Sequence, residues 1–174
     1  MPEPGFGFPA SVEKVLVDPS STNPTGMTLY AFGGDHRQLK DFNNPNQVPN
    51  YGLVWKSPDG GETWSTIGSL PGNVMAVTFG GGAEATTSMW AAVNFDGLYK
   101  SDDLGISWSK VNVQNFPPIG DGGTVHITGV VVDPFDQDLI HVSVGVAQGS
   151  GDLRDGIGGV WRSDDGGFSW LLIE

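Results

Sequence analysis

Ser57-Pro58-Asp59-Gly60-Gly61-Glu62-Thr63-Trp64 is the first of three copies of one short pattern in this chain. The second copy reads SDDLGISW over residues 101–108, and the third reads SDDGGFSW over residues 163–170. All three have the form Ser-x-Asp-x-Gly-x-(Ser/Thr)-Trp. A pattern with one aspartate, one glycine and one tryptophan at constant spacing predicts a tight turn with the same geometry each time.

Three positions of the pattern have a physical reason to be constant. The fifth-position glycine supplies a positive φ without steric cost. The short aspartate side chain can accept hydrogen bonds from backbone N–H groups of the turn, and the tryptophan can cover the turn and donate its N–H to a carbonyl. We therefore interpret nine residues as structural: Asp59, Gly61, Trp64, Asp103, Gly105, Trp108, Asp165, Gly167 and Trp170.

The sequence around each copy predicts four β-strands, labelled a to d, with the pattern at the turn between c and d. Strand c ends in an aromatic residue, a cation and serine, as in Trp55-Lys56-Ser57. Strands a and b are β-rich runs separated by turn residues, such as Asp18-Pro19 and Asp133-Pro134. The predicted units cover about residues 12–69, 74–113 and 125–174 of a single segment, 1–174.

This pattern resembles the Asp box, or BNR repeat, of sialidases, sortilin-type receptors, two-propeller xyloglucanases and a photosystem II assembly factor. The resemblance implies an all-β fold, a β-propeller of four-stranded antiparallel blades. It also implies that the Asp boxes lie on the face away from the active site. Three blades make an incomplete ring or part of a larger propeller, because propellers close with four to eight. We expect the remaining blades of a longer chain, or a second copy, to cover the open ends.

The amino-acid composition excludes some classes of binding partner. A formal charge of −12 repels phosphate backbones and anionic lipids, so we expect no nucleic-acid partner. No stretch reaches the roughly 18 apolar residues of a membrane span. The first residues lack the features of a signal peptide. The acidic, lysine-poor, cysteine-free composition is typical of secreted bacterial proteins, and we expect an extracellular or periplasmic location.

Three long connections carry the candidate ligand-binding residues. They are residues 33–50, 114–124 and 148–158, and strand order predicts that all three lie opposite the Asp boxes, where loops on a rigid scaffold commonly bind ligands. The candidate catalytic carboxylates are Asp35, Asp41, Asp121, Asp152 and Asp155. The candidate ligand-binding residues are His36, Arg37, Phe116, His126 and Arg154.

Two functions fit these residues. The first is a non-enzymatic binding or assembly scaffold that contacts protein or polysaccharide through the loops. The alternative is part of a xyloglucanase-like glycoside hydrolase, which needs a pair of carboxylates across the scissile bond. Sialidase activity is not expected, because the loops offer neither an arginine cluster nor an obvious tyrosine.

The sequence predicts no cofactor and no metal site. His36, His126 and His141 lie on different elements without metal-ligand spacing. Asp102 and Asp164, beside the box aspartates, could contribute to a Ca²⁺ site, although solvated turn acids are the commoner arrangement.

Overall fold

The computed structural model describes residues 11–21, 26–34, 52–82, 87–94, 96–111, 126–145 and 158–173. Within these ranges the regular structure consists of twelve β-strands and no α-helix. The strands form three separate four-stranded antiparallel sheets. The all-β propeller fold expected from the sequence is therefore confirmed.

The strands follow the chain without crossovers, so each sheet is a simple meander. The first sheet contains β1 (Ser11–Val17), β2 (Leu29–Gly34), β3 (Gly52–Ser57) and β4 (Ser65–Leu70). The second contains β5 (Val74–Phe79), β6 (Met89–Val93), β7 (Gly97–Ser101) and β8 (Ser109–Lys110). The third contains β9 (His126–Val132), β10 (Ile140–Gly145), β11 (Gly159–Ser163) and β12 (Leu171–Ile173).

The first strands of neighbouring sheets contact each other, because β5 touches both β1 and β9. This places strand a of each sheet on the inside. We call the face of a sheet that points toward the next sheet in chain order its front face, and the opposite side its back face.

Two apolar cores hold the three sheets together. The first core joins front-face residues of the first sheet, Tyr30, Phe32 and Val54, to back-face residues of the second, such as Met89 and Ala91. The second core joins front-face residues of the second sheet to back-face residues of the third. Its buried members are Trp90, Ala92, Leu98, Ile127, Val130, Val132, Ile140, Val142, Trp161 and Trp170. Alternation along each strand supplies both faces, since successive side chains point to opposite sides.

Close approach between sheets depends on glycine. A Cβ on Gly68 in β4 would lie 2.1 Å from the carbonyl oxygen of Gly105, in the Asp box of the second sheet. A Cβ on Gly81 would lie 1.8 Å from the carbonyl oxygen of Asp133 in the third sheet. Hydrogen at these two positions lets the backbones of adjacent sheets touch.

No helix within the described residues is long and apolar enough to cross a membrane.

Candidate functional site

The three Asp boxes share one hydrogen-bond network, which is clearest in the third. The hydroxyl of Ser163 accepts the backbone N–H of Gly167 at 2.8 Å and donates to Asp165 Oδ1 at 2.8 Å. The backbone N–H of Ser169 donates to the same carboxylate oxygen at 2.8 Å, and its hydroxyl donates to Oδ2 at 2.5 Å. Trp170 Nε1 closes the turn on the Gly167 carbonyl at 3.0 Å.

The other two boxes repeat these bonds at equivalent positions. In the first they join Ser57, Asp59, Gly61, Thr63 and Trp64. In the second they join Ser101, Asp103, Gly105, Ser107 and Trp108. The first-position serine, whose role the sequence analysis missed, is fully buried in each box. Its invariance across the three copies was the signal that could have revealed it.

Backbone conformation explains the glycines of the boxes. The fifth-position glycines, Gly61, Gly105 and Gly167, have φ angles of 100°, 90° and 90°. The fourth position also has positive φ, with glycine in the first and third boxes and Leu104 at 58° in the second. Positive φ at the fifth position was predicted from the sequence, whereas positive φ at the fourth was not, although Gly-Gly in two boxes indicated it.

The box aspartates are committed to these turns. Hydrogen bonds from Thr63 and then Ser57 lower the pKa of Asp59 to about 2, and bonds from Ser169 and then Ser163 do the same for Asp165. Burial raises the pKa of Asp103, but hydrogen bonds led by those from Ser107 outweigh it and the net shift is downward. A carboxylate held ionised by several donors is a poor general acid near neutral pH.

The acids beside two of the box aspartates form ion pairs with the preceding strand. Lys100 Nζ lies 3.1 Å from Asp102 Oδ1, and Arg162 Nε lies 2.6 Å from Asp164 Oδ1. No group of three or more potential metal-ligating side chains occurs among the residues that the structure describes.

The a–b turns of the first and third sheets lie beside the Asp boxes of those sheets. The N–H of Gly60 donates to the Met27 carbonyl at 2.9 Å, and the N–H of Gly166 donates to the Asp138 carbonyl at 3.0 Å. In an antiparallel meander the b–c and d–a connections must then leave from the opposite ends of the strands. We call that side the loop face, and its described strand ends include Gly34, Gly52, Gly97, His126, Gly145 and Gly159.

Most candidate site residues lie outside the described residues. These are Asp35, His36, Arg37, Asp41, Phe116, Asp121, Asp152, Arg154 and Asp155. The strand ends that flank their segments lie on the loop face. His126 is described: it opens the inner strand β9, is half-buried and pairs with Gly145.

At the loop face of the second sheet, the structure describes several polar contacts. The N–H of Asn94 donates to the Asn73 carbonyl at 2.8 Å, which ties the b–c turn to the d–a connection. Asp96 accepts the Tyr99 hydroxyl at 2.8 Å and pairs with Lys110 at 2.6 Å. Burial, followed by this bond to Asp96, raises the pKa of Tyr99, so the phenol stays protonated. A protonated, hydrogen-bonded phenol is not an activated nucleophile.

Comparison with known proteins finds xyloglucanases. A curated relative, xyloglucanase Xgh74A of Acetivibrio thermocellus, is 29% identical over 184 aligned residues, which cover 93% of this chain and 20% of the relative. This chain therefore spans about a fifth of that protein's length. No protein-family model matches the chain.

Two solved structures show the same fold. The GH74 xyloglucanase of Xanthomonas campestris matches with a TM-score of 0.60 at 20% identity, over 92% of this chain and 23% of that protein. YCF48 from Cyanidioschyzon merolae matches with a TM-score of 0.52 at 19% identity, over 94% of this chain and 40% of that protein. At such identities the likeness supports the architecture and not a shared activity.

Proposed function

We propose that this chain is a substrate-binding segment of a xyloglucanase-like glycoside hydrolase, with an Asp-box propeller as its scaffold and the loop face as its polysaccharide site. The observation that carries the proposal is the sequence match to a xyloglucanase across 93% of the chain. This match favours the hydrolase over the non-enzymatic scaffold. The scaffold function stays a prediction. A polysaccharide substrate also agrees with an extracellular or periplasmic location.

The geometry supports the loop face as the binding side. At the box end, each box carboxylate accepts bonds from serine or threonine hydroxyls and from backbone N–H groups, and two neighbouring acids pair with cations. Those carboxylates are occupied by the scaffold. The five candidate acids instead belong to segments that leave strands on the loop face.

Glycoside hydrolysis assigns two roles to such acids. One carboxylic acid protonates the glycosidic oxygen, and a second carboxylate activates water or attacks the sugar. Carboxylates about 5–5.5 Å apart give retention, and those about 6.5–9.5 Å apart leave room for water and give inversion. We assign the pair to two of Asp35, Asp41, Asp121, Asp152 and Asp155, with His36, Arg37, His126 and Arg154 for sugar hydroxyls and Phe116 for stacking.

The test measures binding and hydrolysis separately. Isothermal titration with xyloglucan oligosaccharides should show saturable binding, and reducing-end release should show whether this chain alone is catalytic. Replacing each of the five loop acids by asparagine should weaken binding or abolish release in at least two variants. The matched controls are Asp102→Asn and Asp164→Asn on the box side, which should leave both signals unchanged.

Two outcomes would contradict the proposal. Absence of xyloglucan binding by the folded chain would remove the polysaccharide site. Equal loss of binding in the loop-face and box-side variants would mean that the loop face has no special role.

A further inference from the structure

Three large apolar side chains are exposed to water at the end of the sheets that carries the Asp boxes. Phe135, in the a–b turn of the third sheet, is 90% exposed, and Phe168, at the sixth position of the third box, is 67% exposed. Ile106 takes the sixth position of the second box and is 62% exposed. None of the three belongs to either apolar core of the described part of the chain. We call this end of the sheets, formed by the a–b turns and the Asp boxes, the box face.

The exposure of these positions does not depend on which sheets are neighbours. Ile106 belongs to the second sheet, which packs against another sheet on each side. Ser20 is the equivalent of Phe135 after the shared Asp-Pro pair, and it is exposed although another sheet covers the front face of its own sheet. Turn tips project beyond the contacts between sheets, so these positions stay open when sheets pack side by side.

Hydrogen bonds fix the turn that carries Phe135 and join it to the turn that carries Phe168. Asp133 Oδ1 accepts the backbone N–H of Phe135 at 2.8 Å and that of the next residue at 3.1 Å. The N–H of Gly166 in the third box donates to the Asp138 carbonyl at 3.0 Å. An aromatic ring on a fixed turn loses little conformational entropy on binding, which makes it a suitable anchor for a partner.

The box face also carries most of the negative charge that the structure describes. Ten of the twelve described acidic residues lie in its turns: Asp18, Asp59, Glu62, Asp102, Asp103, Asp133, Asp136, Asp138, Asp164 and Asp165. Three of the five described lysines and arginines, Lys56, Lys100 and Arg162, lie just before the boxes, so the described charge of this face is −7, ten negative against three positive. The other described charges, two of each sign, cancel. Carboxylates and the faces of aromatic rings both attract lysine and arginine side chains.

We propose that the box face of the third sheet docks a basic segment of a partner protein. Phe135 and Phe168 are its apolar anchors, and the exposed acids Asp136 and Asp138, beside Phe135, contact lysine or arginine side chains of the segment. Aromatic anchors within a polar rim are typical of protein–protein contacts. A neutral polysaccharide offers no positive charge to this face, so the proposal does not depend on the loop-face polysaccharide site.

Fluorescence anisotropy with a labelled peptide of the sequence Gly-Lys-Leu-Lys-Gly-Lys-Leu-Lys tests the docking. The peptide should bind saturably, and rising salt should weaken its binding, because salt screens charges at an exposed surface. Two control peptides separate the two kinds of contact. One has serine in place of each leucine and the other has glutamate in place of each lysine, and both should bind at least about tenfold more weakly.

Substitutions in the protein locate the bound peptide. Phe135→Ser and Phe168→Ser should each weaken binding by at least about tenfold, as expected for aromatic anchors. Val160→Ser is the matched control, because Val160 is 45% exposed but opens β11 at the loop face. Asp138→Asn should weaken binding about two- to fivefold, whereas Glu13→Gln on β1 removes the same charge away from the box face and should leave it unchanged. Circular dichroism melts of each variant check that it is folded.

Three results would each overturn the proposal. The first is no binding of the basic, leucine-containing peptide by the folded chain. The second is equal binding of the peptide without leucine, which would leave only a general attraction to an acidic protein. The third is equal binding by Phe135→Ser, Phe168→Ser and Val160→Ser. None of these results bears on the xyloglucan titration, which uses a neutral ligand and the opposite face.

Discussion

Replacing Gly68 by alanine tests the contact between the first two sheets most sharply. The added Cβ would lie 2.1 Å from the Gly105 carbonyl oxygen and 2.8 Å from that of Ile106, whereas real Cβ atoms keep at least 3.0 Å. Relief requires the β4 backbone and the second box to separate by about 0.9 Å, from 2.1 to 3.0 Å. A gap of this size removes about a quarter to a half of the dispersion energy of each atom pair between β4 and the second box.

The expected cost is about 3 kcal/mol, the upper end of the usual range for an overpacked core, because the opposing atoms are backbone and cannot rotate away. For a domain of this size that lowers the melting temperature by about 6–12 °C. Urea unfolding, followed by tryptophan fluorescence, measures the change in the free energy of unfolding.

Gly145→Ala is the matched control for this substitution. Gly145 is also a strand glycine, but its Cβ would meet the Thr128 side chain at 3.3 Å within its own sheet. We expect a change of less than about 1 kcal/mol in either direction, because the loss of chain entropy in the unfolded state offsets minor crowding. Equal free energies of unfolding for Gly68→Ala and Gly145→Ala would contradict the close contact between the first and second sheets at Gly68.

The third Asp box supplies three further predictions. The pKa of Asp165 is lowered to about 2, so its ionised carboxylate stabilises the fold fully above about pH 4, and this stabilisation is lost as the pH falls toward 2. Asp165→Asn should therefore make the free energy of unfolding, measured by urea melts, depend less on pH in the acid range. Ser163→Ala leaves the buried N–H of Gly167 without its acceptor and should cost about 1–3 kcal/mol, whereas exposed Ser169→Ala should cost less than about 1 kcal/mol in the same melts. Trp170→Phe removes the N–H bond to the Gly167 carbonyl and should cost about 1 kcal/mol by thermal denaturation.

Local chemistry made the boxes and the strand order predictable. The positive φ of the fifth glycine, the acceptor role of the aspartate and the tryptophan N–H bond all follow from residues within eight positions of each other. The a-to-d order follows from the repeat of β-rich runs and turns around each box. Leu104 escaped prediction because a leucine rarely adopts φ of 58° and only its glycine equivalents signal that geometry.

Burial could not be predicted from the strand sequences alone. Val15-Leu16-Val17-Asp18-Pro19 and Val130-Val131-Val132-Asp133-Pro134 are nearly the same pattern. Yet Val17 is 50% exposed and Val132 is 6% exposed, because, of β1 and β9, only β9 has another sheet against its back face within the part of the chain that the structure describes. Which sheets pack together depends on the tertiary structure, and the alternation of apolar and polar residues in one strand does not encode it.

The function was harder to predict for a related reason. The boxes are scaffold, and the same scaffold serves both binding proteins and hydrolases, so the motif could not choose between them. The candidate acids lie in segments with no motif of their own, and comparison with a xyloglucanase, rather than residue chemistry, favours the hydrolase.

Hydrogen–deuterium exchange with and without xyloglucan oligosaccharides tests the central claim most directly. Polysaccharide bound on the loop face should slow exchange in peptides covering residues 35–51, 112–125 and 146–157. Exchange in the Asp boxes, residues 57–64, 101–108 and 163–170, should not change. Protection confined to the boxes, or no protection at saturating oligosaccharide, would contradict a loop-face polysaccharide site.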